Sequence, residues 1–342
     1  MGIENIDDLV QRLRALGAKP CHEQALLRAW SAGLGPQGGA GRGEDFFPSA
    51  LRRALPALWD ELQALARVRA EYADADGCAR LLLQLGDGQT VESVLLPRAA
   101  VCVSTQVGCA VGCVFCMTGK GGLQRQLGSA EILAQVVLAR TRRNVRKVQF
   151  MGMGEPSHNM DNVLAAIDLL GTAGGMGHKN LVFSSVGDRR LFERLPRQRV
   201  KPALALSLHS TRAELRARLL PHAAAMEPEE LVRLGEAYAR ASGYPIQYQW
   251  TLLAGVNDSA AEVEGIARLL AGKYAVMNLI PYNAVAGLDF QRPAQRDAEA
   301  MAYALYRRGI LTKLRQSAGQ DIDGGCGQLR ARAHTSPSPL PE

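Results

Sequence analysis

Apolar residues recur at helical spacing over Ile6–Leu16 and again over Ala50–Ala70, with charges between them. Both stretches predict amphipathic helices. Between them, Gly33–Gly43 is glycine-rich and reads as a loop. Near Arg80 the period shortens. Arg80–Leu85 and Thr90–Leu96 predict a hairpin about the Gly86-Asp87-Gly88 turn. After Ala99, apolar runs alternate with helical segments. The predicted strands are Ala100–Ser104, Lys147–Met151, Asn180–Ser184, Ala203–Leu208, Ile246–Leu252 and Ala275–Ile280, with a short one near Leu311–Arg315. Thr211-x-x-Glu214 and Ser259-x-x-Glu262 have the form of capping boxes, and Asp161 is the expected N-cap of a Val163–Leu170 helix. Six strands alternating with helices predict an α/β fold, a parallel sheet left open or curled into a partial barrel. The chain divides into a helical accessory domain (1–75), a β-hairpin extension (76–98), the α/β body (99–318) and a C-terminal segment (319–342). The tail from His334 is rich in Pro and Ser and is expected to be disordered.

Composition narrows the class. The chain has 342 residues, 47% hydrophobic and 21% charged, which is ordinary for a globular protein. No apolar run reaches the ~20 residues of a membrane helix. The acidic start, Met1 to Asp8, lacks a secretory apolar core, so a cytoplasmic protein without membrane association is expected. The formal charge is +7, with basic clusters at Arg140–Lys147, Arg189–Lys201 and Arg212–Arg218. Guanidinium groups suit phosphate and bases, so these clusters fit a polyanionic partner; they fit solvated helix faces equally well. Four of the seven cysteines, Cys102, Cys109, Cys113 and Cys116, crowd together, which points to metal or redox chemistry rather than a disulfide framework. Cys21 and Cys78 fit no motif and are read as structural.

The unusual sequence lies where predicted strands end. In parallel α/β folds those C-terminal ends carry the active site. Strand one runs into the cysteine loop, strand two into Gly152-Met153-Gly154-Glu155-Pro156 and strand three into Ser184-Ser185-Val186-Gly187. Strand four ends at Ser207-Leu208-His209-Ser210 and strand six at Pro281-Tyr282-Asn283. Cys109-x-x-x-Cys113-x-x-Cys116 offers three thiolates, one fewer than a [4Fe–4S] cluster normally takes, leaving one iron open for a substrate or cofactor. Gly108 and Gly112 permit the tight path of such a loop. Structural zinc with Cys102 as fourth ligand is the competing reading, although such sites usually pair Cys-x-x-Cys knuckles.

A Cys-x-x-x-Cys-x-x-Cys loop after the first strand of a partial (β/α)6 barrel resembles the radical-SAM superfamily. More narrowly, Cys102-Val-Ser-Thr-Gln-Val-Gly-Cys109, Phe115-Cys116-Met-Thr-Gly119, Gly152-Met-Gly-Glu-Pro156 and Gly319-Gln-Asp-Ile-Asp-Gly-Gly-Cys326-Gly-Gln-Leu329 are similar to the RlmN/Cfr group of RNA adenine methyltransferases. The resemblance spans roughly residues 80–330 and is fainter before that, where the group carries a small N-terminal helical domain.

The resemblance implies the following chemistry. Cys109, Cys113 and Cys116 hold a [4Fe–4S] cluster whose open iron binds S-adenosylmethionine. Gly154 and Glu155 hold its methionine amino end, and Ser184, Ser207, Leu208, His209 and Asn283 line the rest of the pocket. Cys326 is methylated first, and its S-methyl carbon is activated by a 5′-deoxyadenosyl radical and added to adenine, carbon 2 being favoured over carbon 8. Glu92 accepts the ring proton. Cys102 then attacks the Cys326 sulfur, releasing methylated rRNA or tRNA and forming a disulfide that must be reduced. The implied partners are structured RNA, an electron donor such as flavodoxin or ferredoxin, and a disulfide reductant, acting on a monomer. The alternatives are a radical-SAM enzyme with another substrate and a non-catalytic, zinc-stabilised RNA-binding module.

Overall fold

The computed structural model describes residues 2–36, 46–285 and 287–331. The tail from His334 and the later part of the glycine-rich loop lie outside them. Three helices lead: α1 (Ile6–Ala15), α2 (Pro20–Ser31) and α3 (Ser49–Ala64). The strands β1 (Ala66–Ala73), β2 (Ala79–Leu85), β3 (Thr90–Leu96) and β4 (Ala100–Cys102) follow, then a small ribbon of β5 (Gln106–Gly108) and β6 (Leu123–Gln126). The alternation continues through α4 (Ser129–Arg142), β7 (Lys147–Phe150), α5 (Met160–Gly171), β8 (Leu181–Ser185), α6 (Arg189–Arg194) and β9 (Ala203–Ser207). It closes with α7 (Ala213–Leu219), α8 (Pro228–Ser242), β10 (Ile246–Leu252), α9 (Ala260–Leu270), β11 (Ala275–Pro281), α10 (Gln295–Arg307) and β12 (Thr312–Leu314).

One ten-stranded sheet runs in the order β1-β2-β3-β4-β7-β8-β9-β10-β11-β12. From β4 onward every pairing is parallel, while β1, β2 and β3 are antiparallel. The expected six parallel strands are therefore present, with β12 as a seventh, in a sheet consistent with a partial barrel. Phe150, Phe183 and Leu204 bury one face of the strands under the helices. Paired residues in neighbouring strands share a face, so Cys102, Gln149 and Val182 project together into the concave side. Ser184, Ala205 and Gln247 do the same one step along, as do Ser207, Gln249 and Asn278.

Four readings of the sequence need correction. The second helix stops at Ala64, and Ala66–Ala73 is strand β1, paired with β2; the Arg-Val-Arg-Ala-Glu-Tyr alternation has period two, and edge pairing outweighed the helical propensity of its Ala and Arg. Helix α2 went unread. Asp161 lies inside α5, which Asn159 precedes as N-cap, and it pairs with Arg194 at 2.6 Å. Thr211 does not cap α7; its backbone N–H (2.8 Å) and hydroxyl (2.5 Å) both donate to Glu262 Oε2. That use of Glu262 also explains why Ser259 caps α9 from one side only, accepting from Glu262 N while the carboxylate points elsewhere.

The N-terminal helices share a continuous core with the α/β body. Ser129 Oγ at the start of α4 accepts from Ile6 N (2.9 Å), and a Cβ at Gly128 would lie 2.1 Å from the Glu4 carbonyl oxygen. The absence of a side chain there sets the depth of docking.

Candidate active site

The loop after β4 returns through the β5–β6 ribbon and brings Cys109, Cys113 and Cys116 to the C-terminal edge of the sheet. Its path depends on two glycines. Gly108 has φ +78°, and a Cβ there would sit 1.9 Å from Gly122 O; one at Gly119 would sit 2.8 Å from Gly112 Cα. Cys109 N donates to Gly122 O (3.1 Å), Cys116 N to Cys113 O (3.0 Å), and Val114 N to Leu219 O (3.1 Å). Cys109 is buried and its two partners half-buried, packed with Val111, Phe115, Leu215 and Leu219.

The three thiols influence one another. Burial pushes Cys109 up to about 12, and Cys116 and Glu155 add to the effect. Cys113 is raised well above the ordinary thiol range by burial first, then by Cys116 and Cys109. Among the described residues their side chains are not drawn into a single metal-coordinating geometry. As a donor set they nevertheless fit a cationic iron–sulfur centre, because crowded, desolvated thiols give up their protons most readily to a metal.

The other strand ends contribute as follows. Gly154, at φ +105°, lets the chain pass Gln106, whose Cβ would be 2.6 Å from an added methyl. Gln106 Oε1 accepts from Glu155 N (2.7 Å). The Glu155 carboxylate accepts from Ser157 N and, through its other oxygen, from Val186 N, both at 3.1 Å, tying the β7 end to the β8 end. Ser185 Oγ accepts from Gly187 N (3.0 Å), which leaves Ser184 as the half-buried hydroxyl facing the concave side. Ser207 is half-buried and Leu208 fully so, with Leu208 N donating to Gln249 O (3.0 Å). His209 sits at φ +57°, with its ring edge-on to Phe115 at 5.0 Å. Its Nδ1 accepts from Thr251 N (3.0 Å), which assigns the proton to Nε2. Burial, reinforced by Arg216, lowers its pKa to about 3, so the ring is neutral.

Cys326 lies on a segment that closes against the sheet. Asn283 Nδ2 donates to Cys326 O (3.0 Å), Met117 N to Gly327 O (2.8 Å) and Thr118 Oγ1 to Leu329 O (2.7 Å). Glu92 is not the solvent-facing residue that its place in a hairpin allows. It is fully buried, paired with Arg80 and accepting from Arg330 N at 2.8 Å. Arg80 Nε in turn donates to Ile322 O (2.6 Å), so the pair grips the Cys326 segment on both sides of the cysteine.

A cavity of about 410 Å3 is shared by three of the cysteines. Cys102, Cys116 and Cys326 all line it, together with Gln149, Gln249 and Gly152. Burial is the largest cause raising the Cys102 thiol to about 12, and Cys326 adds to it. Desolvation at the cavity wall also raises the thiol of exposed Cys326, against the pull of Arg315. Glu92, Gly154, Glu155, Ser184, Ser207, Leu208, His209, Asn283, Cys109 and Cys113 do not line this cavity. Sequence reasoning overlooked Arg80, Gln106, Gln149 and Gln249. A polar residue inside an apolar strand, as in Lys-Val-Gln-Phe and Tyr-Gln-Trp, was the available signal for the two inward-facing glutamines.

Among the described residues no helix is long and apolar enough to cross a membrane. Comparison with known proteins adds three findings. Residues 103–270 match the model of the Radical SAM superfamily. A probable RNA methyltransferase of Aromatoleum aromaticum is 72% identical over 97% of this chain and 93% of its own length, and one of Azoarcus sp. is 70% identical over 96% and 94%. The crystal structure of a radical SAM methyltransferase from Sphaerobacter thermophilus is 33% identical and covers 97% of this chain and 100% of its own, with a TM-score of 0.84.

Proposed function

The chain belongs to the radical SAM superfamily, and from that premise we propose that it is an RNA methyltransferase that alkylates carbon 2 of an adenine in rRNA or tRNA by way of a methylated Cys326. Membership makes it an enzyme with a [4Fe–4S] cluster and S-adenosylmethionine, which overturns the zinc-stabilised, non-catalytic alternative. Cys109, Cys113 and Cys116 would hold the cluster. Bound there, the two cofactors would supply a methyl group, a one-electron route to hydrogen abstraction and an acceptor for the electron that the adenine adduct gives back. The chain's own residues do the rest.

The observation that carries the reading is the cavity shared by Cys102, Cys326 and Cys116, since it brings the two non-ligand thiols together beside the cluster loop. Cys326, as thiolate, accepts and carries the one-carbon unit. Once that carbon is bonded to adenine, Glu92 takes the ring proton. The Cys102 thiolate then attacks Cys326 Sγ; an S–S bond forms, the carbon–sulfur bond breaks, and the released carbon takes a proton. Two electrons from an external reductant restore both thiols. A flavodoxin or ferredoxin would feed the cluster. Glu92 is held by Arg80 and the Arg330 amide while the Cys326 segment is closed, so the proton step requires that segment to lift.

The test is Cys102→Ala. With no resolving thiol, RNA accumulates covalently on Cys326 and is seen as a protein–RNA band whose adduct peptide contains that residue. Normal release of methylated RNA by the variant would overturn the role given to Cys102.

A further inference from the structure

Several arginines of the clusters conspicuous in the sequence already hold carboxylates. Arg142 pairs with Glu71, Arg189 with Glu230, Arg190 with Asp188, Arg199 with Asp168 and Arg212 with Glu262, all within 3.2 Å. Arg216 is buried among backbone carbonyls, including Ser207 O at 3.2 Å. Three cations without a carboxylate partner within salt-bridge distance come together at one cavity. Arg98, Lys147 and Arg315 have none among the described residues, and all three line the cavity that holds Cys102 and Cys326. Arg98 and Arg315 are exposed and Lys147 is half-buried. Lys147 titrates below the ordinary lysine range, through burial first and then through repulsion by Arg315 and Lys313. Arg98 and Ala99 adopt φ of +59° and +57°, a strained backbone for two consecutive side-chain-bearing residues at a cavity mouth.

A second observation lies deeper. Gln249 is 4% exposed and lines the same cavity; its Nε2 donates to Gln247 O (3.1 Å), while its buried Oε1 has no partner among the described residues. A buried acceptor left without a donor costs about 1–3 kcal/mol, which a ligand's amino group would recover.

We propose that Arg98, Lys147 and Arg315 form a phosphate-binding rim for the RNA strand that delivers the target nucleotide, with Gln249 Oε1 receiving an exocyclic amino group of the inserted base. The inference rests on the RNA reading above and locates the contact. The strand is held at the cavity mouth by these three cations. A cavity of about 410 Å3 admits one base and leaves the flanking phosphates outside, beside the exposed guanidinium groups.

Two measurements test it. Binding of a fluorescently labelled RNA hairpin with an unpaired adenine is followed against salt for the wild type, for Arg98→Gln/Lys147→Gln/Arg315→Gln, and for the control Arg189→Gln/Arg199→Gln. Loss of three phosphate contacts should flatten the slope of log affinity against log salt by about 2 to 3; the control should retain the wild-type slope. Independently of RNA, alkylation of Cys326 by anionic iodoacetate relative to neutral iodoacetamide is read at alkaline pH by peptide mass, with exposed Cys21 as internal reference. The ratio at Cys326 should exceed that at Cys21 in the wild type and fall to it in the triple variant. An unchanged salt slope together with an unchanged alkylation ratio would overturn the rim. If alkylation depends on the rim but the wild type shows no salt-dependent RNA binding, it is the RNA reading that fails, and with it RNA phosphate as the ligand.

Discussion

Removing Glu92 while leaving Arg80 isolates the contribution of the clasp around Cys326. Both side chains are essentially inaccessible, Arg80 at 1% and Glu92 at 0%. Three contacts meet there: the Arg80–Glu92 ion pair, Arg80 Nε to Ile322 O at 2.6 Å, and Arg330 N to Glu92 Oε2 at 2.8 Å. The Arg80 guanidinium also lies 4.3 Å from the centre of the Tyr72 ring, so it has no path to water without moving that wall. Glu92→Ala takes from the buried Arg80 guanidinium the carboxylate it holds in the clasp, and the expected loss is about 3–5 kcal/mol. Arg80→Met combined with Glu92→Leu removes both charges and keeps the volume. It should recover most of that loss, ending within about 2 kcal/mol of wild type, the remainder reflecting the unpaired Ile322 carbonyl and Arg330 amide. Urea unfolding under anaerobic conditions gives the stabilities, and limited proteolysis between Gly319 and Gly327 reports whether the segment has come loose. A cost below about 1 kcal/mol for Glu92→Ala, or a double variant as unstable as the two single losses added together, would refute the clasp. The same double variant separates structure from chemistry. If it folds and still transfers methyl groups at the wild-type rate, Glu92 is not the proton acceptor.

Two further expectations follow from the loop and from His209. Gly108→Ala places a methyl 1.9 Å from Gly122 O at φ +78° and should displace Cys109, so iron per chain falls well below wild type; Gly121→Ala, with open space around it, should leave iron content unchanged. His209 has a folded pKa of about 3, below its ordinary value, so the unfolded chain binds more protons. Its contribution to stability is complete above pH ~6.5 and is lost as pH falls toward 3, amounting to about 2 kcal/mol at pH 5. His209→Gln should therefore lose about 2 kcal/mol less than wild type between pH 7 and pH 5; an identical loss in both proteins would refute the assignment.

The parallel body was legible because its strands, buried on both faces, read as short apolar runs separated by turns. Lys147–Phe150 and Ala203–Ser207 needed no tertiary information. The misread segment, Ala66–Ala73, shows where that legibility ends. Its Arg, Ala and Glu residues suit a helix, and only pairing with β2 makes it a strand. The capping errors share this origin. Thr211 and Asp161 have the right chemistry for caps, but Glu262 and Arg194, distant in sequence, compete for the same side chains.

The candidate site divides along the same line. Groups proposed to hold a cofactor through one local segment are visible as motifs, and the cysteine loop and Gly152–Pro156 are of that kind. Groups that act through another residue carry no local mark. Arg80 and Glu92 look like alternating polar positions of a half-exposed hairpin until the Cys326 segment, more than two hundred residues later, covers them. Charge misleads for a related reason: a run of arginines in sequence says nothing about which of them meet carboxylates. Arg189 and Arg199, within one such run, hold carboxylates, whereas Arg98, Lys147 and Arg315, distant along the chain, line one opening with no carboxylate within salt-bridge distance among the described residues. For a ligand as highly charged as RNA, the unpaired cation matters more than the dense one, because a guanidinium already holding a carboxylate must give up that partner before it can hold a phosphate.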